Sequence, residues 1–213
     1  MGGAGALGLT VAALQARLQA IYGVEAPGVE RFVVGREVAE AAGHALRAPE
    51  ELLVLEEADG LWLGLYLDEV ALAGAARGEL APLVQVAEGV SHFVYLAPRA
   101  ARGRPVSLLE LEVQAEVDKF ALLLLALWRR DRRRRSRALR RRLYERVGLA
   151  EHLAAEERGR YREANRLGAG YARWLEGRYV AAADVEGLLR ELRQSYRLGA
   201  GEKLGYLSSR ARA

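Results

Sequence analysis

The 213-residue chain contains no cysteine, which excludes disulfides, thiolate nucleophiles and zinc sites built on sulfur while leaving every compartment open. Lysine is nearly absent as well. Lys119 and Lys203 are the only two, so thirty of the thirty-two basic residues are arginine, a bias that a GC-rich bacterial genome would produce without selection for guanidinium chemistry. Long apolar runs are missing too: the strongest, residues 120–128, has nine residues where a bilayer span needs about 20. No membrane span is expected. The opening segment MGGAGALGLTVAALQAR has no basic stretch before its apolar run, which argues against a secretory signal, and Ala6 stands where myristoylation wants Ser or Thr. A cytoplasmic protein is the expectation.

Catalytic signatures are also absent. Neither Ser91 beside His92 nor Ser195 sits in a nucleophile elbow or a base-plus-orienter set. The phrase Arg-Leu-Gly-Ala-Gly occurs twice, at 166–170 and 197–201. Neither copy has a third glycine at the dinucleotide spacing, neither follows a strand, and no Gly-Lys-Ser/Thr appears. Those glycines are read as close helix packing and helix stops. No cofactor is expected.

What the chain does have is an ordinary globular composition, 51% hydrophobic and 28% charged, with enough length for one large domain or two small ones. Its net charge of +4 conceals a division. Residues 129–146 carry eleven arginines against Asp131 and Glu145, a local charge of +9, which leaves 4 − 9 = −5 on the remainder. A modestly acidic body bears one concentrated basic element, and that asymmetry bears on partners in a way the overall charge does not.

Along the chain, residues 9–22 show apolar positions at three- and four-residue spacing behind Thr10 as N-cap, which predicts a helix that Gly23 stops. The run 29–34 reads as a strand and 36–45 as a short helix. Apolar runs 51–56 and 61–67 around Asp59-Gly60 give the best hairpin signal. A helix is expected over 82–97, ended by Pro98. Ser107 followed by Glu110 is a capping box that should start the next.

Residues 109–118 alternate apolar and polar as a strand would, but the cap, the strong helix formers and the apolar continuation favour helix. At 100° per residue Leu109, Val113, Val117, Phe120 and Leu124 form a core-facing ridge, with Glu112 and Glu116 flanking it on one side and Glu110, Gln114 and Asp118 on the other. From 129 to 137 no residue is apolar, so the helix must leave the body there or break. Leu139 and Leu143 restore a stripe, Gly148 suggests a stop, and further helices are expected over 151–176 and 182–196, followed by a tail of short helical potential.

The fold class expected is α+β and predominantly helical: a small mixed α/β unit with a β-hairpin over 1–80, then a helical bundle over 81–213 containing one long arginine-rich helix at about 129–146.

Two groups of residues are candidates for function. Arg129, Arg130, Arg132, Arg133, Arg134, Arg135, Arg137, Arg140, Arg141 and Arg142 could grip an acidic protein or a polyanion, since guanidinium groups make bidentate contacts with carboxylate and phosphate; Trp128 and Tyr144 could add base stacking. Glu88 and His92 stand four apart, as do Glu112 and Glu116. If their helices pack antiparallel, the four groups could form a polar, acid/base or metal cluster, the metal unspecified.

The preferred expectation is a non-enzymatic helical interaction or adaptor module, self-associating or docking an acidic protein partner through the arginine-rich helix. A nucleic-acid-binding protein is the first alternative. An enzyme using the Glu/His cluster is the second.

Overall fold

In the computed structural model, which describes residues 10–57, 60–128, 132–145 and 154–212, the Thr10 hydroxyl accepts from the Ala13 amide at 3.2 Å and opens α1 (Val11–Tyr22). The chain is an α+β fold, predominantly helical, with a small three-stranded sheet near its N-terminus. It divides into two compact units: Met1–Ala20 with Val24–Pro105, and Ile21–Gly23 with Val106–Ala213.

In the N-terminal unit, α1 buries Leu14 and Leu18, and Gln15 ties it to the segment that follows. The Gln15 amide donates to the Pro27 carbonyl at 2.7 Å and accepts from the Val29 amide at 2.8 Å. The expected strand at 29–34 is instead a 3-10 turn, Val29–Arg31, followed by a two-residue β1 (Val33–Val34). Strands β2 (Glu50–Glu57) and β3 (Gly60–Leu67) form the hairpin, with Glu57 opposite Gly60 and Leu52 opposite Leu65. β1 joins the other edge of β3 in parallel, so the order is β1-β3-β2.

Helix α2 (Arg36–Ala41) is shorter than expected, and α3 (Glu69–Ala76) was not expected. Its signal was Asp68, which accepts from the Val70 and Ala71 amides as N-cap. Helix α4 (Leu80–Ala100) packs on α3 and across the sheet. Gly89 allows that approach, since a Cβ there would lie 3.1 Å from both the Leu65 and Leu67 methyls.

Because α4 belongs to the sheet, the boundary between units falls after Pro105 rather than near residue 80. Nor does Pro98 end the helix. The helix runs on to Ala100 with Pro98 inside it, without the amide donor that proline lacks. By length and composition α4 could cross a membrane, but 61% of that stretch is buried inside the protein. Among the described residues no other helix meets the length and hydropathy of a span.

The C-terminal unit is built from α5 (Leu108–Ala126), α6 (Arg132–Tyr144), α7 (Ala155–Leu175), a π-helical turn (Glu176–Val180), α8 (Val185–Arg197) and α9 (Ala200–Arg212). The Ser107 hydroxyl accepts from the Glu110 amide at 3.2 Å, and α5 is a helix throughout. Its period-two pattern arises because two faces are buried. Beside the ridge of Val113, Val117, Phe120 and Leu124, the polar row Glu110, Gln114 and Asp118 lies inside and is at most 2% exposed, where a position at the core's margin was expected.

The arginine-rich helix expected at about 129–146 is α6, Arg132–Tyr144, and α5 ends before it, at Ala126; residues 129–131 and the stop expected at Gly148 lie outside the described residues.

Helix α7 packs against α5 and α9 through glycines of the first Arg-Leu-Gly-Ala-Gly copy. A Cβ on Gly168 would stand 2.6 Å from the Glu116 Cβ, and one on Gly170 would stand 2.4 Å from the Ala211 Cβ. In the second copy Gly199 lies in the connection between α8 and α9. The unequal roles of the two copies predict unequal tolerance. Gly170→Ala should destabilise the protein by about 1–3 kcal/mol through overpacking, with partial recovery in the Gly170→Ala, Ala211→Gly double variant, whereas Gly201→Ala, which meets open space, should be neutral or mildly stabilising. Urea denaturation of the four proteins checks this ordering.

Candidate functional site

Helix α6 has the sequence RRRRSRALRRRLY, and its few non-basic residues decide which way it faces. Ser136, Leu139, Leu143 and Tyr144 are buried and define one stripe along the helix. Tyr144 fixes the C-terminal end by donating to the Glu116 carbonyl at 2.7 Å, with its ring 6.4 Å from that of Phe120. The opposite face is therefore assigned. Arg134, Arg135, Arg137, Arg141 and Arg142 are exposed, spread over about 160° of helix surface and about 12 Å of its length. Among the described residues no carboxylate pairs with any of the five.

Two other arginines of α6 serve the fold. The Arg140 Nε donates to Glu176 Oε2 at 2.7 Å, and Ser136 Oγ donates to Glu176 Oε1 at 2.5 Å, so one carboxylate from the π-helical turn clamps α6 at two successive turns. Arg140 also meets Glu145 at 3.3 Å, and the Arg133 guanidinium donates to the Ala181 carbonyl just past the π turn. Arg129 and Arg130 lie outside the described residues, and α6 begins at Arg132. The arginines thus do not surround the helix evenly: a buried stripe and a clamp hold it down, and the remainder forms one cationic row.

The Glu/His candidates fall in different surroundings. His92 and Glu88 are on α4 in the N-terminal unit, where His92 Nδ1 lies 3.7 Å from Glu50 Oε2 on β2. Glu112 and Glu116 are on α5 in the C-terminal unit, where Glu116 pairs with Lys119 at 2.9 Å in a site almost closed to solvent. Among the described residues no group of three or more His, Asp or Glu side chains is placed to hold a metal ion.

Sequence reading missed two buried polar networks in the C-terminal unit. In the first, Lys203 Nζ donates to Gln114 Oε1 at 2.5 Å, and Gln114 Nε2 donates to Asp118 Oδ1 at 2.7 Å and to Tyr22 OH at 3.2 Å. Tyr22 in turn donates to Asp118, and its ring stacks on Tyr196 at 4.2 Å. Burial and then Asp118 push the Tyr22 phenol well above its usual range. The rarity of lysine was the available signal: both lysines of the chain are buried, Lys203 at 1% and Lys119 at 5% exposure. In each of these sites the compact ammonium presents three rotatable donors.

In the second network Glu191 on α8, also buried, accepts from three tyrosines. Tyr206 and Tyr171 reach Oε1 at 2.7 and 2.9 Å, and Tyr179 reaches Oε2 at 3.3 Å. The three come from α9, α7 and the π turn, so one carboxylate joins four elements.

Comparison with protein-family models, curated proteins and solved structures found no match.

The tyrosine network has a pH signature. Burial, reinforced by the hydrogen bond to Glu191, raises the Tyr206 phenol to about 12, and burial with the Glu191 charge raises Tyr171 and Tyr179 as well. The folded protein binds these protons more tightly than the unfolded chain, whose phenols titrate near 10. Their stabilising contribution is thus complete below pH about 10 and lost as pH rises through about 12. Thermal unfolding should show melting temperature falling over this window, less steeply in Tyr206→Phe than in the parent. Equal slopes would remove Tyr206 from the account. Glu191→Leu, which strands three hydroxyl donors, should cost about 3 kcal/mol at neutral pH, read by chemical denaturation.

Proposed function

We propose that the chain is a non-enzymatic interaction module that docks an acidic protein surface, on another protein or on a second copy of itself, through the outward row of α6. One observation carries this reading: five arginines share a single exposed helix face while Leu139, Leu143, Tyr144 and the Glu176 clamp anchor the other. An exposed row of like charge raises the electrostatic energy of the isolated protein, because each guanidinium repels its neighbours at three- and four-residue spacing. An acidic partner removes that cost and gains bidentate contacts. Anchoring keeps the row in one geometry, so little helix ordering is needed at the moment of docking.

The −5 balance of the remainder of the chain makes a second copy one such partner. A protein surface is favoured over nucleic acid because the described row is short. It spans about 12 Å, a patch suited to a few carboxylates, and two further arginines of α6, Arg133 and Arg140, are held by the fold itself.

Fluorescence anisotropy with labelled poly-glutamate and with a labelled DNA duplex, repeated over a salt series, tests the assignment, alongside light scattering of the protein alone. The expected result is poly-glutamate binding or salt-sensitive self-association that weakens about tenfold or more when Arg134, Arg137, Arg141 and Arg142 are all changed to Gln. Duplex binding that exceeds poly-glutamate binding at equal salt, with a slope that flattens in the same variant, would move the assignment to nucleic acid. A monomer that binds neither probe at low salt would end the docking proposal.

A further inference from the structure

A second cationic feature lies on the C-terminal unit, away from the outward face of α6, and it is concave. Where α7, the π turn and the end of α9 meet, a cavity of about 460 Å³ is lined by Gly170, Arg173, Trp174, Gly177, Arg178, Arg210, Ala211 and Arg212. Its size falls in the range of small-molecule sites. Four of the eight lining residues are arginines, and among the described residues that line it there is no Asp or Glu. Among the described residues none of these four arginines has an ion-pair partner. Four arginines on one concavity whose described lining holds no carboxylate repel one another, Arg173, Arg178 and Arg212 from exposed positions and Arg210 from a half-buried one, an arrangement that an anion would relieve.

The walls of this cavity are organised. The Arg210 guanidinium lies 4.3 Å from the Tyr206 ring centre and 5.0 Å from that of Trp174, so two aromatic rings hold its position. Trp174 is itself backed by Tyr171, stacked at 5.9 Å, and by Tyr179, edge-on at 5.6 Å. Both of those tyrosines, and Tyr206, are fixed by Glu191. That carboxylate already receives three hydroxyl donors, while Arg210 Nε is buried without a hydrogen-bond partner in the described structure. A buried guanidinium donor left unmet is costly.

The π-helical turn completes the rim. Its wider winding, closed by the Ala181 amide donating to the Glu176 carbonyl at 3.0 Å, places Gly177 and Arg178 on the cavity. A Cβ at Gly177 would meet only open space. π-helical turns recur at functional sites because the extra residue changes which side chains face a given direction.

We propose that this cavity binds a phosphorylated small molecule, its phosphoryl oxygens taken by Arg173, Arg178, Arg210 and Arg212. Four positive charges call for a ligand of at least two negative charges. Phosphate esters and pyrophosphates supply that charge together with an oxygen geometry that the guanidinium fork matches bidentately. The volume exceeds what free phosphate fills and leaves room for an attached organic group beside Trp174.

Isothermal titration with pyrophosphate, with ATP in the absence of divalent cation and with citrate, at about 150 mM salt to suppress diffuse attraction, tests the site. Saturable binding of pyrophosphate or ATP with one site per chain is expected, tighter than that of citrate. Arg178→Gln and Arg212→Gln, both at exposed positions, should each weaken it at least about fivefold, and Arg210→Gln about tenfold or more. The α6 variant lacking Arg134, Arg137, Arg141 and Arg142 should bind these ligands as the parent does, which separates this proposal from the docking row. Absence of binding at millimolar concentration overturns it. So does binding that survives Arg178→Gln and Arg212→Gln together, or that disappears in the α6 variant while circular dichroism shows every variant folded.

Discussion

The C-terminal unit depends on one constraint: a carboxylate taken out of water must meet donors inside. Glu116 is answered by Lys119, the Gln114 and Asp118 pair by Lys203 and Tyr22, Glu176 by Arg140 and Ser136, and Glu191 by three tyrosine hydroxyls. An isolated buried carboxylate costs several kcal/mol, and only a full set of donors or a paired cation offsets that. Each network joins elements distant in sequence. Helices that share a carboxylate must therefore hold a particular rotation and register, whereas apolar contact alone would tolerate sliding.

The π-helical turn shows how this constraint shapes the surface. Within five residues it sends Glu176 to α6, presents Gly177 and Arg178 to the arginine-lined cavity, turns Tyr179 to Glu191 and buries Val180. The wider winding of the turn changes which side chains face a given direction relative to a regular α-helix. Through Glu176 the turn also fixes the helix that bears the exposed arginine row, and through Gly177 and Arg178 it lines the cavity.

Arginine is used in two ways that composition alone does not separate. Arg140 donates to a carboxylate in a position largely closed to solvent, and Arg193 donates to the Ile21 carbonyl at 2.8 Å. These are structural. Arg134, Arg135, Arg137, Arg141 and Arg142 face solvent as a row, and Arg173, Arg178, Arg210 and Arg212 surround a hollow. The two lysines, by contrast, are both interior.

Sequence by itself determined the predominantly helical α+β class, the antiparallel pairing of β2 with β3, the capped start of α5 at Ser107 and the location of the basic helix. These follow from interactions within a few residues: side-chain periodicity, caps, turn chemistry and local charge. Tertiary structure alone decided that Glu110, Gln114 and Asp118 lie inside, since a polar row looks solvent-facing until Lys203 and Tyr22, about ninety residues away on either side, arrive to satisfy it. It likewise decided that α4 belongs with the sheet, because Gly89 matters only once Leu65 and Leu67 are beside it. The arginine-lined cavity was illegible for the same reason. Arg173 and Arg178 are separated from Arg210 and Arg212 by more than thirty residues of chain, and no local rule brings them together; helix packing at Gly170 and Ala211, with the Glu191 network behind it, does.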